Sequence, residues 1–87
     1  MSAGLAARAA GKPLAEDDAE ALMDAARFVR RVRLRLGLTQ RQFAQRIDVP
    51  LDTIRNWEQG RRYPTGAAKT LLKILDRAPD AALLALG

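Results

Sequence analysis

The stretch 36–64 most constrains the fold of this chain, because it contains the signals for two short helices separated by a tight turn. Gly37 favours the end of a preceding helix, since glycine readily adopts the left-handed backbone conformation that helix C-termini often need. Thr39 and Gln42 have the spacing of a capping box, in which two side chains satisfy the free amides at a helix start. A helix is therefore predicted to begin at about Gln40.

The apolar residues of this first short helix share one face. Phe43, Ala44 and Ile47 recur at three- and four-residue intervals, and the small Ala44 suits a close helix crossing. Residues 48–50 are predicted to form the turn. Pro50 suits the first turn of the next helix, because its φ is fixed and it lacks an amide proton.

A second short helix is predicted from residue 51 until Gly60 ends it. Ile54 and Trp57 are three residues apart and are predicted to point into the core. The remaining side chains are left for solvent or a ligand, and they are Leu51, Asp52, Thr53, Arg55, Asn56 and Gln59.

These outward side chains can match base edges in the major groove of DNA. Asn56 can form a bidentate pair with adenine, and Arg55 can bind guanine or a phosphate. Asp52 can accept a hydrogen bond from the cytosine amino group, while Thr53 and Leu51 can lie against a thymine methyl. An ordinary solvated helix face is the alternative explanation.

The stretch resembles the phage-repressor and Cro-type helix-turn-helix family, also called the XRE family. The resemblance is carried by Leu38-Thr39-Gln40, Phe43-Ala44, Ile54-Arg55-Asn56-Trp57-Glu58-Gln59-Gly60 and Arg61-Arg62-Tyr63-Pro64. It implies an all-α fold, a small five-helix repressor-like helix-turn-helix domain. It also implies that Gln40 touches a phosphate and supports the reading helix. The groove-facing residues would be Leu51, Asp52, Thr53, Arg55 and Asn56, and the backbone-holding residues Gln59, Arg61 and Arg62.

The chain departs from the family pattern at four positions. Asp48 replaces the usual turn glycine, and we expect it to adopt a left-handed backbone. Pro50 replaces the usual Ser or Thr cap. Leu51 stands where many repressors carry a Gln that reads a base, so it is open whether this protein reads that base directly. Asp52 is unfavourable near phosphate unless it meets cytosine or a basic neighbour.

The run 54–75 is similar to the HigA-type antitoxins of bacterial toxin–antitoxin pairs. The resemblance implies a protein that binds its own operator as a dimer and also binds a toxin. The same run occurs in stand-alone regulators, so both roles stay open.

Positive charge concentrates on this motif and on the helix before it. The net charge is +5 overall, but residues 1–26 carry −3, residues 27–63 carry +7 and residues 64–87 carry +1. All ten basic residues in 27–63 are arginine, which binds phosphate through a fork of parallel hydrogen bonds. This distribution favours double-stranded DNA as the partner, with a solubilising surface as the alternative.

The chain contains no cysteine and no histidine. This composition excludes disulfides, thiolate metal sites and histidine-based acid–base catalysis. Residues 1–5 are too short and too weakly apolar for a signal peptide, and no apolar run has the length of a membrane span. We therefore expect a cytoplasmic protein that is not an enzyme, with no cofactor and no metal.

Residues 1–12 have no apolar periodicity and are predicted to form a flexible tail before one domain at 13–87. A helix is predicted from Pro13 to about Leu36, with a break near Asp24 as an open alternative. Its apolar stripe is Leu22, Ala25, Val29, Val32 and Leu36, widened by Ala21 and Phe28. Its outward arginines are Arg27, Arg30, Arg31, Arg33 and Arg35, some of which can reach phosphates. For Arg27 and Arg31, a position on a solvated face that points away from DNA is an open alternative.

The acidic segment 16–24 has three open explanations. It can bind a basic toxin, shield the arginines from free nucleic acid, or simply stabilise the N-terminus of a helix through the helix dipole.

Two more helices are predicted after the motif. Thr65 is predicted to cap a helix over about 66–76, with Lys69 and Lys73 outward. Its apolar side is Leu71, Leu72, Ile74 and Leu75. Pro79 opens a last helix with an apolar stripe of Ala82, Leu83 and Leu86. That stripe either folds back onto the domain or pairs with a second copy, and we favour a homodimer because repressor-type readers need two half-sites.

Two functions from different classes follow from these observations. The favoured function is a sequence-specific transcriptional repressor, an autoregulating antitoxin that occludes a palindromic operator as a dimer with helix 51–59 in the major groove. The alternative is a protein-interaction module on the same scaffold, such as an anti-activator or a toxin inhibitor without DNA binding. The polar and basic residues of the motif argue against a loss of DNA binding. These residues are Gln40, Arg55, Asn56, Arg61 and Arg62.

Overall fold

A computed structural model of the chain describes residues 16–87, which form five helices and no strand. They are α1 (Glu16–Arg35), α2 (Gln40–Ile47), α3 (Leu51–Glu58), α4 (Gly66–Arg77) and α5 (Pro79–Leu86). The predicted all-α, five-helix fold is confirmed. The predicted tail at 1–12 and the helix start at Pro13 lie outside the described residues. No helix within 16–87 is both long and apolar enough to cross a membrane.

Helix α1 is one unbroken helix that passes through Asp24, so the alternative of a break there is wrong. Its buried side includes Leu22, Val29 and Val32, as predicted, but Ala26 takes the place assigned to Ala25. Spacings of four and three residues from Leu22 reach Ala26 and then Val29, which is the helical repeat. Ala25 is only half-buried on the edge of this side.

The connection from α1 to α2 follows the predicted signals. Gly37 has a φ of 72°, and the helix ends just before it. The Thr39 hydroxyl accepts a hydrogen bond from the Gln42 amide at 3.1 Å, and the Thr39 amide donates to Gln42 Oε1 at 2.9 Å. The capping box is therefore confirmed.

The turn between α2 and α3 is made by a left-handed residue and a proline. Asp48 has φ 61° and ψ 51°, as expected at this position. The Val49 amide donates to the carbonyl of Ala44 at 3.0 Å, which closes the end of α2. Pro50 lies at the N-cap of α3 rather than within its first turn, and it supplies no side-chain hydrogen bond. Because the turn is this short, α2 and α3 pack directly against each other.

One core joins all five helices. Phe43 and Ile54 are fully buried, and Trp57 is 5% exposed. Leu72 and Leu75 complete this core from α4, whereas Ile74, predicted on the same side, is half-exposed. The helical repeat explains the difference, because residues 72 and 75 are one turn apart and 74 lies well off that line.

Helix α5 contributes one small residue to the core. Thr65 is at the N-cap of α4 but forms no capping hydrogen bond. In α5, Ala82 is buried in the core, so this part of the stripe folds back onto the domain, and Leu83 is half-buried. Leu86, assigned to the same stripe, is exposed, and so is Leu84. An apolar surface is therefore left uncovered at the end of α5.

Candidate nucleic-acid interface

Helix α3 packs on both α1 and α2 through its buried face and presents the opposite face outward. Asp52, Arg55 and Gln59 are exposed on or just after this helix, while Thr53 and Asn56 are half-buried. All six side chains predicted to face a ligand therefore lie wholly or partly at the surface of α3 or directly after it.

Leu51 only partly meets that prediction. Its side chain is half-buried and packs against the hydrophobic core. This contact follows from the sequence, because residue 51 is one helical turn before Ile54 and borders the same apolar face. Contact between Leu51 and a base remains a prediction that only the outer part of its side chain can satisfy.

A nearly buried ion pair links α1 to α3. Arg33 Nε donates to Glu58 Oε2 at 2.6 Å, and Arg33 Nη2 donates to Glu58 Oε1 at 3.0 Å. The two side chains are only 12% and 5% exposed. Two parallel hydrogen bonds fix the relative orientation of both groups more tightly than a single contact would.

Further hydrogen bonds extend this pair to α2. Arg33 Nη1 donates to the carbonyl of Leu38 at 3.0 Å, and Gln40 Nε2 donates to Glu58 Oε1 at 3.1 Å. We call Arg33, Gln40 and Glu58 the buttress. It connects the end of α1, the start of α2 and the end of α3, and it therefore holds the outward face of α3 in a fixed position.

The buttress changes two sequence-based assignments. The helical pattern predicts Arg33 to be an outward arginine, but its fork is already occupied by Glu58, so it has no free donor pair for a phosphate. Gln40 is expected to touch a phosphate and to support the reading helix, and its amide nitrogen does contact α3 through Glu58. The phosphate contact of Gln40 stays a prediction.

Ion pairing divides the arginines of 27–63 into two groups. Arg27 pairs with Asp24, as expected for a side chain of the solvated face. Arg31 and Arg35 approach Asp76 at 3.9 Å and 2.9 Å, which ties α1 to α4. The arginines that form no ion pair with any residue of 18–87 are Arg30, Arg41, Arg46, Arg61 and Arg62. Four of these unpaired arginines belong to α2 or to the loop that follows α3.

The loop after α3 holds its arginines close to that helix. The Arg61 amide donates to the carbonyl of Asn56 at 2.9 Å, and Gly60, with φ 72°, turns the chain there. A side chain at Gly60 would not fit without movement, because its Cβ would lie 2.6 Å from Met23 Sδ on α1. The Tyr63 hydroxyl donates to the carbonyl of Asp18 at 3.3 Å and links the far end of the loop to α1.

Comparison with known proteins agrees with this geometry. The family model described as "Helix-turn-helix domain" matches residues 24–86, which is most of the chain. The chain belongs to the XRE-type helix-turn-helix family. Antitoxin HigA-2 of Vibrio cholerae serotype O1 (strain ATCC 39315 / El Tor Inaba N16961) is 39% identical over 49 residues, which cover 56% of this chain and 47% of the relative. The matched segment thus spans about half the length of this curated relative. No solved structure matches the chain.

In helix-turn-helix terms, α2 is the supporting helix and α3 is the reading helix. The resemblance deduced from the motif is confirmed, including its likeness to HigA-type proteins. Sequence reasoning missed Glu58 as a structural residue, and it missed Arg41 and Arg46 as unpaired cations on the supporting helix. Glu58 carries a weak signal in the sequence: it follows the core residue Trp57 directly, and an acid at a half-buried position needs a partner.

Proposed function

We propose that this helix-turn-helix protein is a sequence-specific transcriptional repressor that binds an operator in the major groove and acts in the bacterial cytoplasm. One observation carries the proposal: a reading helix with an outward polar face is fixed from behind by the buttress and is flanked by unpaired arginines. A rigid reading helix keeps base contacts in register, and flanking cations supply affinity for the phosphates.

The contacts divide into two classes in this proposal. Base edges are read from α3 by Asp52, Thr53, Arg55 and Asn56, with the outer part of Leu51 beside a thymine methyl. The phosphate contacts come from Gln40, Gln59, Arg61 and Arg62. Phosphate contacts set the position of the protein on the duplex, whereas base contacts set which sequence it prefers.

We further propose that the protein binds a palindromic operator as a homodimer. At most two or three of these contacts are good bidentate pairs, each contributing about 1–3 kcal/mol of discrimination, and that is too little to select one site in a genome. Two chains on a palindrome double that discrimination. The uncovered leucines at the end of α5 are the surface that we assign to dimerisation.

Footprinting of the DNA upstream of the protein's own coding sequence tests this operator proposal. We expect protection of two half-sites centred about one helical turn, or ~34 Å, apart. A single unrepeated half-site would rule out the dimer on a palindrome. No protection at all would rule out autoregulation.

Similarity to Antitoxin HigA-2 supports a second part of the proposal, in which the protein is an autoregulating antitoxin with a toxin partner. The test is co-expression with the product of the adjacent gene, followed by co-purification and a growth assay. We expect a stable complex and restored growth. The Asn56→Ala variant is the matched control, because it should lose operator preference and still neutralise the toxin. If the adjacent product neither binds nor affects growth, the protein is a stand-alone regulator.

A further inference from the structure

The reading helix carries an acid–base pair on its outward face. Asp52 Oδ1 lies 3.5 Å from Arg55 Nη1, and the two side chains are 86% and 49% exposed. They are three residues apart, so they project from the same side of the helix. Asp52 is the one exposed acid of α3, because the helix's other acid, Glu58, is enclosed in the buttress.

An exposed carboxylate at this position opposes binding to most DNA. Phosphates attract cations and repel anions whatever the base sequence, so Asp52 lowers affinity for every duplex that offers it no hydrogen-bond donor. In the major groove, Asp and Glu accept from the cytosine amino group, whereas the adenine amino group lies beside the N7 acceptor, which repels a carboxylate. Arg binds guanine O6 and N7. A C·G pair, or adjacent C·G pairs, therefore offers a partner to both members of this pair at once.

We propose, on the basis of the function above, that Asp52 and Arg55 act together as one specificity unit that selects cytosine and guanine within each half-site. On a matching sequence, Asp52 accepts from the cytosine amino group while Arg55 donates to guanine. On other sequences, Asp52 stays paired with Arg55, so Arg55 is withheld from the DNA and the carboxylate places negative charge close to the phosphates. The weak, exposed contact between the two side chains allows this exchange of partners.

A purely structural role for Asp52 makes a different prediction. An acid in the first turn of a helix interacts favourably with the helix dipole, and α3 has no side-chain cap because Pro50 occupies that position. That role would change thermal stability and leave base preference unaltered. Base preference is therefore the decisive measurement.

Selection from a random-sequence duplex library, followed by sequencing, measures base preference at every position of the bound site. The proteins are the unmodified chain, Asp52→Ala, Asp52→Asn and Asp80→Asn. Asp80 is an exposed acid on α5 and gives a control for the loss of one negative charge. Thermal melts of all four proteins verify folding, which we expect to be retained because both acids are exposed.

We expect the unmodified chain to enrich a motif with a C·G position in each half-site. Asp52→Ala should reduce the preference for cytosine at that position about tenfold and leave the other positions unchanged. Asp52→Asn should shift the preference there toward adenine, since an amide matches the adenine edge. Both variants should also bind a scrambled duplex more tightly than Asp80→Asn does.

Two negative results are distinguishable. If the unmodified chain enriches a motif and neither Asp52 variant alters any position of it, the specificity unit is wrong while the repressor function stands. If the unmodified chain enriches no motif, the proposed function fails and the specificity unit fails with it.

Discussion

At the scale of single residues, the half-buried Asn56 and the exposed Arg62 test the division between reading and holding DNA. Asn56→Ala should weaken binding to the upstream DNA about tenfold and leave binding to a scrambled duplex nearly unchanged, because an amide reads a base edge. Arg62→Ala should weaken binding to both duplexes and lower the slope of log affinity against log salt by about 1, because it removes one phosphate contact. Fluorescence anisotropy titrations at several salt concentrations measure both effects.

Each of these two variants serves as the control for the other. If Asn56→Ala, like Arg62→Ala, weakens binding to both duplexes by the same factor, Asn56 contacts the DNA backbone rather than a base.

The sequence predicts the structure correctly at positions where a few neighbouring residues determine it. The capping box of Thr39 and Gln42, the left-handed Asp48 and the buried Trp57 all depend on a few neighbouring residues, and all are confirmed. Arg33 was assigned incorrectly because its partner Glu58 lies 25 positions away. Helical periodicity indicates the side of a helix on which a residue lies, and it does not indicate which distant element covers that side.

At the scale of elements, the buttress should be worth far more than an exposed ion pair. Glu58→Ala leaves the Arg33 guanidinium nearly buried without its partner, so we expect a loss of about 3–5 kcal/mol in the free energy of unfolding. Asp24→Ala removes the exposed pair with Arg27 and should cost less than about 1 kcal/mol. Urea denaturation of the two variants measures the difference.

A second variant, tested for both stability and DNA binding, separates an effect on the stability of the fold from an effect on the position of α3. Glu58→Gln keeps the size and one acceptor oxygen of the side chain and should retain more of the fold than Glu58→Ala. If the buttress fixes α3, this variant should still lose affinity for the upstream DNA, although Glu58 itself is not a predicted DNA contact. Equal stability of Glu58→Ala and Asp24→Ala would contradict a structural role for the buttress.

The sequence predicts the element boundaries well, whereas it predicts the rotational setting of α1 and α4 less well. The turn at 48–50, the stop at Gly60 and the start at Pro79 follow from the backbone preferences of Gly, Pro and Asp. The choice between Ala25 and Ala26 depends on how α1 rolls against its neighbours, and two adjacent alanines give no hydrophobic contrast to decide it. The exposure of Ile74 has the same origin, since α4 contains more apolar residues than its buried face can hold.

At the scale of the whole molecule, the uncovered end of α5 bears on the oligomeric state. Leu84 is 84% exposed. Leu86, two residues later, and Ile74, on the preceding helix α4, are also exposed. Leu84→Glu should convert the proposed dimer to a monomer with little change in the melting temperature of the fold, because this side chain contributes little to the core. Light scattering coupled to size-exclusion chromatography measures the mass.

Ala67→Glu is the control for added charge, because Ala67 is exposed in the first turn of α4, where an acid is favourable. This variant should remain a dimer. If Leu84→Glu also remains a dimer, or if the unmodified chain is a monomer, the assignment of dimerisation to α5 is wrong.

The most direct test of the central claim, that α3 reads a DNA sequence, is a titration of the unmodified protein. It compares the protein's own upstream DNA with a scrambled duplex of equal length and composition at several salt concentrations. We predict tighter binding to the upstream DNA, with a preference that persists as salt rises, because base contacts depend less on counterion release than phosphate contacts do. Equal binding to both duplexes that disappears with salt would contradict sequence reading by α3 and reduce the unpaired arginines to a general surface for polyanions.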